Sequence, residues 1–215
     1  IDVRLDLGLD RRGAPPGFDF TRVYSGLRMT MPSPPPSDPA SLVDATVFDL
    51  SNPESVASCV TAARYNACHV REEISSEMWE ELNGLVLQLK RAQTDGVWSA
   101  GPHDVLALAI EGLELVQRIT DATMEHGEGW HYLQVGRFLE RASATAALLA
   151  MYFREDSMVT DGGGSENQRE WIGLLRSCAA LETYGRCHAD DLRRERVVEF
   201  MLLSAGCPRS VRLAA

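Results

Sequence analysis

From Val56 to Leu89 apolar residues return every three or four positions: Val56, Val60, Ala63, Ala67, Val70, Ile74, Met78, Leu82, Leu85 and Leu89. That spacing keeps one face of an α-helix apolar for about ten turns, whereas a strand alternates its faces every second residue. The segment is expected to be one long helix. Ser51 or Asn52 is placed to cap it, Pro53 suits the first helical position, and Glu54 complements the helix dipole.

The same logic continues along the chain. Asp95-Gly-Val-Trp-Ser-Ala-Gly-Pro102 breaks the pattern, and a second helix, capped near His103 or Asp104, turns Val105, Leu108, Ala109, Gly112, Val116 and Ile119 inward. A third helix is expected from about Glu128 to Arg154, with Val135, Leu139, Ala142, Ala146 and Leu149 as its apolar stripe. After the flexible Thr160-Asp-Gly-Gly-Gly-Ser165 linker, a fourth runs through Trp171, Leu174, Leu175, Cys178 and Leu181, and a fifth starts near Asp191. Short connections make antiparallel packing the default, so the expected fold is an all-α antiparallel bundle of about five helices.

Residues 1–40 read differently. Ile1, Val3, Leu5, Leu7 and Leu9 alternate with polar or small residues, the pattern of a half-buried strand, and Phe18 and Phe20 offer a partner strand. Met31-Pro-Ser-Pro-Pro-Pro-Ser-Asp-Pro39 should then be an extended linker. The expected division is an extension at 1–40, irregular or a short β-hairpin, and a helical domain at 41–215.

Composition narrows the function. A net charge of −10 argues against nucleic acid, whose phosphates call for clustered basic side chains. Five cysteines, an odd number in a mid-sized chain, look like reduced thiols, which suggests the cytoplasm. Cys59, Cys178 and Cys207 read as small apolar fillers. No apolar run is long enough to span a bilayer, and no membrane partner is expected.

Phe48-Asp-Leu50-Ser51-Asn-Pro53-Glu-Ser55-Val56 is echoed by Phe200-Met-Leu202-Leu-Ser204-Ala-Gly-Cys-Pro208-Arg-Ser210-Val211, as if one helical unit had been duplicated. The first copy opens a long helix. The second reaches Ala215 where that helix should run, and the chain begins with Ile, so a piece of something longer is expected.

The chemistry-bearing residues fall into three groups. Arg137, Glu140 and Arg141 share one side of the third helix, either as a solvated ion-pair ladder or as a fork of guanidinium groups aimed at an anion. His126, Glu128 and His131 do not match His-Glu-x-x-His, and two intervening glycines loosen the backbone, so no metal is expected. Arg64 and Arg71 flank the apolar stripe of the first helix, where they border the core. No phosphate loop or nucleophile elbow is present, and no cofactor is expected.

Several separated motifs resemble the alpha-E superfamily, a bacterial all-helical family named for a Glu-Arg motif. They include Ala63-Arg64-x-Asn66-Ala67, Val70-Arg71-Glu72, Ile74-Ser-Ser-Glu77-Met-Trp79-Glu-Glu-Leu-Asn83, Gly127-Glu128-Gly129-Trp130, Gly136-Arg137-x-x-Glu140-Arg141-Ala142 and Pro208-Arg209-Ser210-Val211. The resemblance covers about Val47 to Val211. It implies a further Gly-Arg-x-x-Glu-Arg-Ala helix that this chain lacks, and a continuation beyond the second Pro-Arg-Ser-Val, hence a piece missing from both ends. Tyr65 stands where the family usually has Glu, and Cys68 where it usually has Arg.

By the same resemblance, the partners implied are circularly permuted ATP-grasp ligases or transglutaminase-like proteins, in a system that makes or tailors peptides through amide bonds. The expected role is an accessory helical module binding the ligase or its peptide substrate, through Arg64, Asn66, Arg71, Glu77, Trp130, Arg137, Glu140 and Arg141. Two alternatives stand beside it. One is an enzyme with Glu128 or Glu140 as general base and the arginines as an anion site, and the other a non-functional fragment.

Overall fold

A computed structural model of the chain describes residues 24, 30, 32, 35–36, 38–96, 102–156, 164–188 and 191–214. Among these every regular element is helical. They are α1 (Pro39–Val43), continued by a π-helical turn over Asp44–Phe48, then α2 (Val56–His69), α3 (Ser76–Asp95), α4 (Pro102–Thr123), α5 (Glu128–Asp156), α6 (Gly164–Ser177), α7 (Leu181–His188), α8 (Arg194–Leu203) and α9 (Val211–Ala214). The expected N-terminal hairpin and the Gly-rich linker after α5 lie outside the described residues. The chain forms two compact units, one built on Pro32–Tyr132 and one on Leu133–Ala215.

In the first unit the expected long helix is two helices. The chain leaves helical geometry at Val70 (φ −128°, ψ 40°), turns through Glu73 N–H to Val70 O (3.0 Å), and restarts when Ser75 accepts from Met78 N–H (3.0 Å). The apolar spacing runs unbroken through this corner, so periodicity does not betray it. The capping serine does, followed two residues later by an acidic residue in the first turn.

The start of α2 is likewise displaced from the expected position. Ser55, not Ser51 or Asn52, is the cap, accepting from Ser58 N–H (3.2 Å), while Asn52 caps the preceding turn by accepting from Glu54 N–H (3.0 Å). Before α2, Asp38 and Ser41 form a reciprocal capping box with Pro39 at the start of α1.

Helices α2, α3 and α4 pack antiparallel in sequence. Arg64 of α2 meets Asn83 of α3, the middle of α3 meets the middle of α4 where Leu85 lies against Gly112, and the start of α3 meets the end of α4 where Ser75 meets Thr123. The core holds Val47 and Phe48 from the π-helical turn, Val56 and Val60, Leu82, Leu85 and Leu89, and Val105 and Ala109. A β-carbon at Gly112 would come within 2.5 Å of Leu85 Cδ1, so the glycine sets how closely α3 and α4 approach. Helix α3 ends at Gly96, whose φ of 62° suits a residue without a side chain.

The second unit is cored by Leu148, Leu149 and Tyr152 of α5, Trp171, Leu174 and Leu175 of α6, Tyr184 of α7, and Val197, Phe200 and Met201 of α8. The expected fourth helix is broken between α6 and α7, where Ala179 adopts φ 48° and Ala180 N–H returns to Leu175 O (2.8 Å). The expected stripe of α5 also shifts. Val135 and Leu139 are 54% and 63% exposed, and burial begins only at Thr145 and continues through Leu148, Leu149 and Tyr152. Of the three cysteines read as fillers, Cys178 and Cys207 are buried but Cys59 is exposed.

The sequence echo is an echo of structure. Ser210 caps α9 by accepting from Leu213 N–H (3.1 Å), as Ser55 caps α2, and both serines are 0% exposed. In each copy the serine N–H closes a turn onto the carbonyl three residues back, Ser55 to Asn52 (3.1 Å) and Ser210 to Cys207 (3.0 Å).

Two outcomes follow from this packing. Ser55→Ala and Ser210→Ala should each destabilise the unit that contains them by about 1 kcal/mol in urea unfolding, the usual cost of a lost cap, whereas an unchanged midpoint would show that neither serine anchors its helix. Burial pushes the Cys178 thiol up to about 12, so it stays protonated and hidden near neutral pH. A disulfide-exchange reagent should therefore label Cys59, Cys68 and Cys187 quickly in the native protein and reach Cys178 and Cys207 only on unfolding.

Candidate functional site

The polar side chains singled out in the sequence divide between the two units. Arg64, Asn66, Arg71, Glu77, Glu128 and Trp130 belong to the first, and Arg137, Glu140 and Arg141 to the second.

In the first unit the organising residue is Trp79, one turn into α3 and facing α2. The Arg71 guanidinium lies over its ring at 4.5 Å and the Arg64 guanidinium at 5.5 Å, so one indole carries two cations, one from α2 and one from the α2–α3 corner. Asn83, the next turn of α3, fixes the outer cation. Its Nδ2 donates to Trp79 O (2.8 Å), which orients the amide so that its oxygen accepts from Arg64 Nε. Arg64 is exposed and Arg71 half-buried, with Nη1 of Arg71 enclosed and lacking a hydrogen-bond partner. Asn66 and Glu77 are exposed, on α2 and in the first turn of α3.

A second corner meets the first. Thr123, the last residue of α4, places Oγ1 2.7 Å from Ser75 Oγ, the cap of α3. After the buried Met124, α5 opens at Glu128. A β-carbon at Gly129 would lie 3.2 Å from Met124 Cε and 3.5 Å from Glu73 Oε2, so the α4–α5 corner is seated directly on the α2–α3 corner. Trp130 follows, stacked on His126 at 4.2 Å with His131 edge-on at 5.1 Å, and its Nε1 is also enclosed without an acceptor. Glu128 is exposed.

The Glu-Arg group of the second unit does something else. Arg137 Nη1 donates to Gln134 Oε1 (3.1 Å), and Glu140 is exposed. Arg141 lies 5.9 Å from the Phe138 ring and donates from Nη1 to Pro208 O (3.3 Å). One turn later Thr145 Oγ1 donates to Arg209 O (3.0 Å). Two successive carbonyls of the second Pro-x-Ser-Val turn are thus clamped to α5.

A family model matches most of the chain. The model, described as a predicted alpha-helical domain with a conserved ER motif, covers residues 18–215. The chain belongs to the Alpha-E family. Similar proteins include an uncharacterized protein of Mycobacterium bovis and uncharacterized proteins of two Mycobacterium tuberculosis strains, each 24% identical over 181 residues, covering 80% of this chain and 19% of the relative. The chain therefore spans about a fifth of the length of these relatives. No solved structure matches it.

Among the described residues no helix is long and apolar enough to cross a membrane, and no three His, Cys, Asp or Glu side chains gather as a metal site. His69 Nδ1 bonds Tyr65 O (2.8 Å), and His188 stacks on Tyr184 at 4.7 Å. Sequence reasoning about this Alpha-E chain missed Trp79 as a platform, Asn83 as its brace, and Ser75, Glu73 and Thr123 as the seam. The available signal was the Ser75-Ser76-Glu77 helix start, because breaking the helix there brings Arg64 and Asn83, nineteen residues apart, to the same place.

A double-mutant cycle of Arg71→Met and Trp79→Leu should give a coupling of about 0.5–1 kcal/mol in chemical unfolding, the range for a cation held on an aromatic face. Strict additivity would show that the two side chains act separately.

Proposed function

We propose that this Alpha-E chain is an accessory helical module of a bacterial amide-bond-forming system, binding an ATP-grasp-type ligase or its peptide substrate at the corner site of the first unit. The observation that carries this reading is the pair of enclosed donors, Arg71 Nη1 and Trp130 Nε1, which have no acceptor within the protein. Buried donors are nearly always matched, and peptides and carboxylate-bearing partners supply acceptors. The resemblance to proteins encoded beside or fused to circularly permuted ATP-grasp ligases supplies the class of partner.

Binding is favoured over independent catalysis by where the carboxylates sit. Glu128 and Glu140 are both exposed to water, whereas a general-base carboxyl works from an enclosed, desolvated place beside the reacting atoms. Arg141 is engaged with Pro208 O, so in this reading it stabilises the second unit and Arg64 and Arg71 face the partner.

ATP-dependent product formation by a circularly permuted ATP-grasp ligase from the same genome tests the proposal. Adding this protein should raise product yield, and Arg71→Gln should reduce that stimulation about tenfold, the loss expected for a hydrogen bond to a charged group. No stimulation by the wild-type chain, or an Arg71→Gln variant as active as wild type, would contradict it.

A further inference from the structure

The two unmatched donors define what they can receive. A guanidinium N–H and an indole N–H only donate, so neither can satisfy the other, and neither has an acceptor among the described residues. They flank one contact: Arg71 lies two residues before Glu73, Trp130 directly follows Gly129, and Glu73 packs on Gly129. Each donor is also held in place by an aromatic neighbour, Arg71 by Trp79 at 4.5 Å and Trp130 by His126 at 4.2 Å. Orientation fixed before binding lowers the entropy lost on binding.

Charge selects among acceptors. A buried cationic donor favours an anionic oxygen over a neutral carbonyl. The rims of the same two corners carry Glu72, Glu73, Glu77, Glu125 and Glu128, all exposed, which disfavours a multiply charged group such as phosphate. A single negative charge spread over two oxygens suits one guanidinium N–H and one neutral N–H. We infer that the seam between the two corners binds a carboxylate of a peptide, an assignment that rests on the reading above that a peptide docks here.

Isothermal titration of the full chain with acetyl-Ala-Ala-Ala tests this, alongside its C-terminal amide, acetyl-Ala-Glu-Ala-amide and inorganic phosphate. The free acid should bind, and the neutral amide should bind roughly tenfold more weakly, because it lacks the charge that strengthens the Arg71 bond. The Glu-containing amide tells a side-chain carboxylate from a terminal one, and tight binding of either supports the inference. Trp130→Phe keeps the ring and removes only the N–H, so it should weaken the acid about tenfold with an unchanged circular dichroism spectrum, as should Arg71→Lys, which keeps the charge and loses the fork.

Equal binding of acid and neutral amide, both weakened by Arg71→Lys, would overturn the carboxylate and leave peptide docking standing. Phosphate binding tighter than either acid would also overturn it. Peptide binding indifferent to both substitutions would overturn the seam as the place, and no peptide binding at all would overturn this inference together with the reading beneath it.

Discussion

The arrangement of the first unit depends on two helix corners meeting. Thr123 Oγ1 stands 2.7 Å from Ser75 Oγ, and Glu73 packs on the bare α-carbon of Gly129. The first contact joins the end of α4 to the cap of α3, and the second seats the start of α5 on the turn that ends α2. A β-carbon at position 129 would press slightly on Met124 Cε at 3.2 Å and stand in ordinary contact with Glu73. Arg71 and Trp130 belong to these two corners, Arg71 lying over the Trp79 ring and Trp130 stacked on His126.

The second unit answers a different need with related parts. Arg141 and Thr145, four residues apart and so on one face of α5, reach successive carbonyls at Pro208 and Arg209. Those carbonyls belong to the turn whose serine caps α9, and the same capped turn starts α2 in the first unit. In the Glu140-Arg141 pair Arg141 therefore has a structural duty: it holds a repeated turn in place. Hydrogen bonds to main-chain carbonyls do not distinguish ligands. Recognition in this account is assigned to the first unit through Arg71 Nη1 and Trp130 Nε1, although His188 Nδ1 of the second unit is likewise enclosed without a partner.

What was legible in the sequence follows from what periodicity measures. Apolar spacing reports which face of a helix is buried, so the all-helical character and the extents of α4 and α5 were readable. Spacing is blind to a corner at which two helices keep the same phase, and Val56 to Leu89 therefore read as one helix although Val70 turns the chain back. The break at Ala179 hid for another reason, since alanine is a strong helix former and nothing in its type announces a positive φ. Val135 and Leu139 fit a helical stripe in sequence yet are exposed, because a stripe does not say how far along a helix its neighbours extend. Site residues were legible as types and not as a group: Arg64 and Arg71 could be named, but Trp79 between them became a platform only after the corner placed α2 against α3.

The central claim is that the two corners meet, and nuclear Overhauser contacts in the folded, isotope-labelled protein test it most directly. One Gly129 α-proton points toward Glu73, whose Cβ lies 3.8 Å from where a β-carbon at Gly129 would stand. The account predicts a strong contact between that proton and the Glu73 methylenes, together with one between the Thr123 and Ser75 side chains. Absence of both, with the α3–α4 contacts of Leu85 and Gly112 intact, would contradict it.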